Sequence, residues 1–282
     1  MLHKLKQIFV KVQRYFNIEV PDIAIGRKIL QVDYVSPDKV TRYRTDPGST
    51  VYVLPVRGGV PNPYIEAQEV YFPWIDLAAA PTVKFTEDNI GRKMKEAKIR
   101  AINSLHRQEN IEVFKLIECA CKEKNTFATS EERFGSRHLD LAVYCLRKNG
   151  HSAGTICVSN HLVLFLKRQR NAIVWDAKKE KKTGVLGTFD GINIYASSEI
   201  PKNTVYVVAE PKKAGRIVIA RDIRFVRADK PEKLRYGFIA YEQIAIGILD
   251  GTTCAKLLVD EDIHVPSTNI IAEVEKNKKS LI

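Results

Sequence analysis

Four cations near the start of the chain, Lys4, Lys6, Lys11 and Arg14, carry the first pattern with a chemistry attached. Residues 2–16 contain no acidic residue, so the segment is locally +4. Cations at that density attract phosphate without reading sequence. Leu2, Leu5, Ile8, Phe9, Val12 and Phe16 recur at helical spacing, with the cations mostly on the other face. The segment reads as an arm that packs on a neighbouring chain or touches nucleic acid. A membrane-surface helix has the same pattern. Lys in place of Arg, and the lack of Ser, argue against an organelle-targeting peptide.

No other group of residues points to a reaction. The phosphate-cradling Gly-x4-Gly-Lys pattern is missing. Gly184-x-x-Gly187 lacks the third Gly and the strand-to-helix setting of a dinucleotide loop. There is no His-Glu-x-x-His pair. Cys119 and Cys121 have the wrong spacing for a redox pair, and on a helix their side chains diverge. Cys145, Cys157 and Cys254 sit in apolar runs, as packed core thiols do. His106, His138, His151 and His161 have no carboxylate or Cys partner at a motif spacing. Glu131-Glu132 and Asp260-Glu261-Asp262 lie in polar stretches and read as solvated faces. Finger, basic-zipper and RNP-like patterns are absent as well. No catalytic residue, cofactor or metal is expected.

The elements that carry these residues belong to a folded chain. It has 282 residues, 45% hydrophobic and 28% charged, which excludes an intrinsically disordered protein. Forty-five Lys and Arg against 33 Asp and Glu give a net charge of +12, and the pI is near 9.4. That surplus points to a polyanion nearby, nucleic acid first. Five scattered Cys suit reduced thiols rather than a disulfide scaffold. No apolar run reaches the roughly 20 residues a membrane span needs, and no secretory signal pattern opens the chain.

Residues 17–48 read as irregular, with Pro21, Pro37 and the Asp46-Pro47-Gly48 turn. Thr50–Leu54 and Tyr64–Phe72 read as strands joined by Arg57-Gly-Gly-Val-Pro-Asn-Pro63, a long hairpin tip. Such a hairpin has little core of its own and needs a surface to lie on. Residues 88–124 predict a long helix with Asp88 or Asn89 at its start. Its apolar side is Met94, Ala97, Ala101, Ile102, Leu105, Val113, Phe114, Leu116, Ile117 and Ala120. The remaining face is wet and mildly basic. At full length it would span about 55 Å, more than a small domain is wide.

Arg137–Asn149 predicts a helix stopped by Asn149-Gly150. Thr155–Val158 predicts a buried strand, followed by a brief helix through Leu162, Phe165 and Leu166. Residues 167–182 hold seven basic and two acidic groups and read as an exposed loop. Strands are expected at Ile192–Ile194, Val205–Ala209, Arg216–Ala220, Ile223–Val226, Tyr236–Leu249 and Cys254–Val259, with turns at Asp190-Gly191 and Asp250-Gly251.

Two stretches are specific enough to compare with a family. One runs Gly187-Thr-Phe-Asp-Gly191-Ile-Asn-Ile-Tyr-Ala-Ser-Ser-Glu-Ile-Pro201-Lys-Asn-Thr-Val-Tyr-Val-Val-Ala209. The other runs from Phe72-Pro73-Trp74 to Ile90 and leads into the long helix. Together with the element order over roughly residues 35–262, they resemble the major capsid protein of tailed phages, the Hong Kong 97 fold.

The resemblance implies an α+β phage major capsid fold. Its parts would be an N-terminal arm (1–35), an extended β-hairpin loop (36–75) and a peripheral domain with the spine helix (76–129). An axial α/β domain (130–220), return strands of the peripheral domain (221–265) and a C-terminal tail (266–282) would follow. It implies self-assembly of hexamers and pentamers into an icosahedral shell around double-stranded DNA, in a virion assembled in the host cytoplasm. Lys4, Lys6, Lys11, Arg14, Arg92, Lys95 and Arg100 become candidates for a DNA-facing lining. Tyr52, Leu54, Arg57, Val60, Tyr64 and Ile65 become candidate inter-subunit loop contacts. Portal and separate scaffolding proteins are implied partners, and no membrane is.

Some relatives join subunits through a loop lysine. Here no Lys occurs between Lys39 and Lys84, so assembly is expected to be non-covalent. About forty residues precede the hairpin, too few for a built-in scaffolding segment. An encapsulin-like cellular compartment, a basic nucleic-acid-binding oligomer and an enzyme without a recognisable motif remain the competing readings.

Overall fold

The computed structural model describes residues 24–36, 42–44, 69–84, 89–130, 134–167, 172–175 and 183–260. In chain order the elements are α1 (Gly26–Ile29), β1 (Gln31–Tyr34), β2 (Arg42–Arg44), β3 (Glu69–Tyr71), β4 (Trp74–Ala79), β5 (Thr82–Lys84) and α2 (Ile90–Ala120). Next come β6 (Thr126–Ser130), α3 (Ser136–Lys148), β7 (Ala153–Ser159), α4 (Val163–Lys167), β8 (Ile173–Trp175), β9 (Val185–Phe189), β10 (Ile192–Ser197) and β11 (Thr204–Ala209). The last are α5 (Pro211–Ala214), β12 (Gly215–Arg227), β13 (Arg235–Ile248) and β14 (Cys254–Asp260). Among the described residues, contacts divide the chain into two units. One takes residues up to Ile117 and Glu210–Gly251, the other Glu118–Ala209 and the residues from Thr252 on.

The first unit is built on the sheet β1-β12-β13-β4, with β5 also on β13. Its spine is the antiparallel pair β12 and β13, in register from Gly215↔Ile248 to Arg227↔Phe238, with shifts after Ile219 and Arg221. These shifts mark bulges, which is why the sequence suggests two strands where one long bent strand exists. β1 lies parallel to β12, Gln31 opposite Arg216. Ala97, Ala101 and Leu105 of α2 pack with Val83, Phe238 and Ala240, and Phe225 closes the cluster. β2 pairs antiparallel with β3, Arg42 opposite Tyr71.

Helix α2 has 31 residues and spans about 46 Å. Asn89, just before it, takes φ 57°, a left-handed conformation Asn tolerates, and its carbonyl accepts the Arg92 and Lys93 N–H groups. One row of every fourth residue is buried, Ala97, Ala101, Leu105, Glu109, Val113 and Ile117. The row is apolar except for Glu109.

The second unit carries the sheet β6-β14-β11-β7-β10-β9-β8. Every residue of β11 is buried, as in a strand covered on both faces. Leu139, Ala142, Val143 and Leu146 of α3 join Ile156, Val158, Val205, Val207, Leu257 and Val259 in one core. Gly150 at φ 79° ends α3, its N–H donating to Arg147 O. Asp190 and Gly191, both at positive φ, make the two-residue turn between β9 and β10.

The structure differs from the sequence expectation in four places. Residues 17–48, read as irregular, contain α1, β1 and β2. The loop expected over 167–182 contains β8, whose Ile173 is buried against β9. The long helix expected over 88–124 ends at Ala120, and Thr126–Ser130, where the sequence suggests no element, is a strand. β14, placed with the return strands 221–265, pairs with β11 and β6 in the second unit's sheet.

Candidate functional site

The residues singled out by sequence are dispersed. Lys4, Lys6, Lys11 and Arg14 lie outside the described residues, as do Tyr52, Leu54, Arg57, Val60, Tyr64 and Ile65. Arg92, Lys95 and Arg100 stand on α2, with Arg92 and Arg100 exposed and Lys95 half-buried. At 100° per residue Arg100 is about 80° from Arg92 around the axis, and Lys95 about 60° on the other side. Glu96 pairs with Arg92 at 3.3 Å, an exposed pair of little energetic weight. The three cations make a broad, partly neutralised band.

A basic residue counted with the wet face turns inward instead. Lys98 is 9% exposed and its ammonium lies 4.4 Å from the Phe225 ring centroid. Burial holds its pKa below the usual lysine range.

The strongest concentration of charge is inside the first unit and was not foreseen. Arg27 on α1 donates from Nε to Glu109 Oε2 at 2.9 Å and Oε1 at 3.2 Å, from Nη1 to Asp222 Oδ1 at 3.1 Å, and from Nη2 to Glu242 Oε2 at 2.9 Å. The fork geometry of guanidinium lets one side chain bridge α1, α2, β12 and β13. Beside it the Gly26 N–H donates to Asn110 Oδ1 at 2.9 Å. The side chains of Glu109 and Glu242 are fully buried and Asp222 is exposed. Burial works against the Arg27 charge, but Glu109, Asp222 and Glu242 outweigh it, so its pKa rises. Burial, and then the nearby Glu109, push the Glu242 carboxyl up to about 7. The signal was available, since Glu109 falls on the apolar row of α2, where a solvated carboxylate does not belong.

In the second unit Glu118 accepts from Tyr206 Oη on one oxygen and Lys256 Nζ on the other. Burial opposes ionisation of Glu118, but these two hydrogen bonds outweigh it and its pKa falls below the usual carboxylate range. Burial raises the Cys121, Cys145 and Cys157 thiols, leaving them protonated and poorly nucleophilic. His138 shares a 3.0 Å hydrogen bond with Thr129 Oγ1, and burial, then Arg137, hold it below the usual imidazole range. Among the described residues no group of three or more His, Cys, Asp or Glu is placed to hold a metal. No helix among them is long and apolar enough to cross a membrane.

The surface of the first unit carries a different feature. Val226 on β12 and Ile239 on β13 are cross-strand partners, 50% and 37% exposed. Exposed Arg224 lies two residues before Val226 on β12, with exposed Arg221 three residues further back.

No family model matches the chain, and no curated protein does. Solved structures do. The capsid of a native GTA particle matches with a TM-score of 0.63 at 14% identity, covering 87% of this chain and 93% of that one. The capsid of cyanophage P-SCSP1u matches at 0.61 and 12% identity, covering 87% and 90%. The chain has the fold of the tailed-phage capsid proteins. The SrpI encapsulin of Synechococcus elongatus shares this Hong Kong 97 fold, at a TM-score of 0.58 and 10% identity over 90% of this chain and 95% of that one. The α+β class expected from sequence is the class observed.

Proposed function

We propose that this chain is a structural shell protein, the major capsid protein of a tailed-phage-type particle. Copies assemble into hexamers and pentamers that close an icosahedral shell around double-stranded DNA, without covalent links between them. The observation that carries this reading is the extent of the likeness. Nearly nine-tenths of the chain follows capsid subunits that it covers almost end to end, so both units take part.

A closed shell needs one patch on each copy to bind a different patch on the next. The exposed apolar pair Val226 and Ile239, beside unshielded arginines, is the kind of surface such contacts use. The basic band of α2 and the cations Lys4, Lys6, Lys11 and Arg14 are assigned to the DNA side, and the segment holding Tyr52, Leu54, Arg57, Val60, Tyr64 and Ile65 to contacts with the neighbouring copy. Sedimentation of the purified full-length protein tests the reading. It predicts megadalton particles, and a species that stays monomeric or dimeric at every salt concentration contradicts it. The likeness to the SrpI encapsulin supports a second reading, a compartment enclosing protein cargo. Nuclease-protected DNA in particles from the native source favours the first, and a co-purifying enzyme without DNA the second.

A further inference from the structure

The Arg27 cluster is more than a static brace. One guanidinium faces three carboxylates, so with all of them ionised the cluster is net −2, and two of the three have fully buried side chains. Glu242 uses only one oxygen on Arg27. Its Oε1 is buried with no hydrogen-bond partner among the described residues. A bare carboxylate oxygen in a dry interior is expensive, whereas a protonated one is tolerated.

We propose that the Arg27 clamp is a proton-operated joint, in which a proton on Glu242 holds α1 between α2 and the sheet and loss of that proton loosens it. Among the described residues, the charged groups acting on Glu242 come from α1, α2 and β12. Arg27 reaches it from α1, while the exposed Lys28 does not. Glu109 faces it from α2, with His106 one turn earlier. β12 presents Asp222, and its Arg221 stands opposite the neighbouring Gln243. β4 places uncharged Leu77 opposite Glu242 and Asp76 opposite Gln243.

With the proton in place, Arg27 is shared by Glu109 and the exposed Asp222, and the buried pair Arg27 and Glu109 is neutral. Without it, Glu109 and Glu242 repel each other across a single guanidinium. The relief is for Glu242 to reach water, which requires α1 to part from β13. The Gly26 N–H bond to Asn110 and the Leu30 N–H bond to Gly26 O then open together. This inference concerns the first unit alone and does not rest on the shell reading.

Hydrogen exchange of the full-length chain between pH 5 and pH 8, corrected for intrinsic rates, tests it. Protection at residues 26–30 is expected to fall by on the order of tenfold from pH 5 to 7 and then level off, while β11 stays protected. Glu242→Gln should abolish the fall. Asp222→Asn, on the exposed rim, removes a repelling charge and should move the levelling-off to lower pH, a readout that survives if Glu242→Gln does not fold. Constant protection in the wild type overturns the proposal. So does an equal fall in β11, a fall kept in Glu242→Gln, or an unmoved profile in Asp222→Asn.

Discussion

Gly247 lies directly against the ring of Phe72. A Cβ built on Gly247 would stand 2.0 Å from Cε1, 2.2 Å from Cδ1 and 2.3 Å from Cζ of a ring only 2% exposed. Phe72 in turn packs on Val218 and Ala245, so the ring has nowhere to retreat. Gly247→Ala is therefore expected to destabilise the first unit by about 1–3 kcal/mol. Combining it with Phe72→Ala should cost less than the two single changes added together, because the clash disappears with the ring. Denaturant unfolding of the four proteins checks this, and strict additivity would contradict the contact.

Arg27 is the cation that makes Glu109 and Glu242 tolerable in the interior. Arg27→Met removes it and leaves both carboxylates buried without a counter-charge, an expected loss of about 3–5 kcal/mol. Replacing Glu109 and Glu242 by Leu in the same chain should restore most of that loss, since an apolar trio of similar volume needs no compensation. If the triple variant is no better than Arg27→Met, the ion cluster is not what limits stability there.

Glu242, buried, and Glu118, 40% exposed, respond to pH in opposite directions. The pKa of Glu242 rises on folding from about 4.5 to about 7, so folding favours its protonated form. Its contribution is complete below pH 4.5, is lost as pH rises, and is gone above about 7, at most about 3 kcal/mol. Glu118 has a folded pKa below its ordinary value, so its contribution is present above that value and is lost as pH falls through the folded one. Lowering the pH from 7 to 4.5 should therefore favour the first unit, and acid below 4.5 should disfavour the second. Exchange protection, followed from pH 3 to 8, should fall in β13 as pH rises from 4.5 to 7 and in β14 only as pH drops below 4.5, and parallel trends would refute the assignment.

The elements visible in the sequence are those whose cues are local. Helix α2 was traceable because its apolar residues keep helical spacing for eight turns, and the end of α3 because Asn149-Gly150 states a stop within two residues. β1 was invisible because four residues, Gln-Val-Asp-Tyr, carry no alternation, and their partner on β12 is 185 positions away. β14 was seen as a strand, but the sheet it joins is fixed by β11 and β6, contacts that period and composition do not encode. The Arg27 cluster was missed for a related reason. Arg27, Glu109, Asp222 and Glu242 are each ordinary surface residues by type, and only the fold makes them one group. The basic residues of α2 misled in the other direction, because Lys98 uses its ammonium over Phe225 rather than in water.

No lysine lies between Lys39 and Lys84, so the segment assigned to inter-copy contact offers no amine for an isopeptide. Boiled particles in a denaturing gel should run as a single band at 32 kDa. A ladder of linked subunits would contradict non-covalent assembly.

Electron microscopy of the purified full-length protein tests the central claim most directly. The account predicts closed, uniform shells tens of nanometres across whose surface resolves into hexameric and pentameric clusters. Fields of single small particles, unchanged across protein and salt concentration, would contradict it.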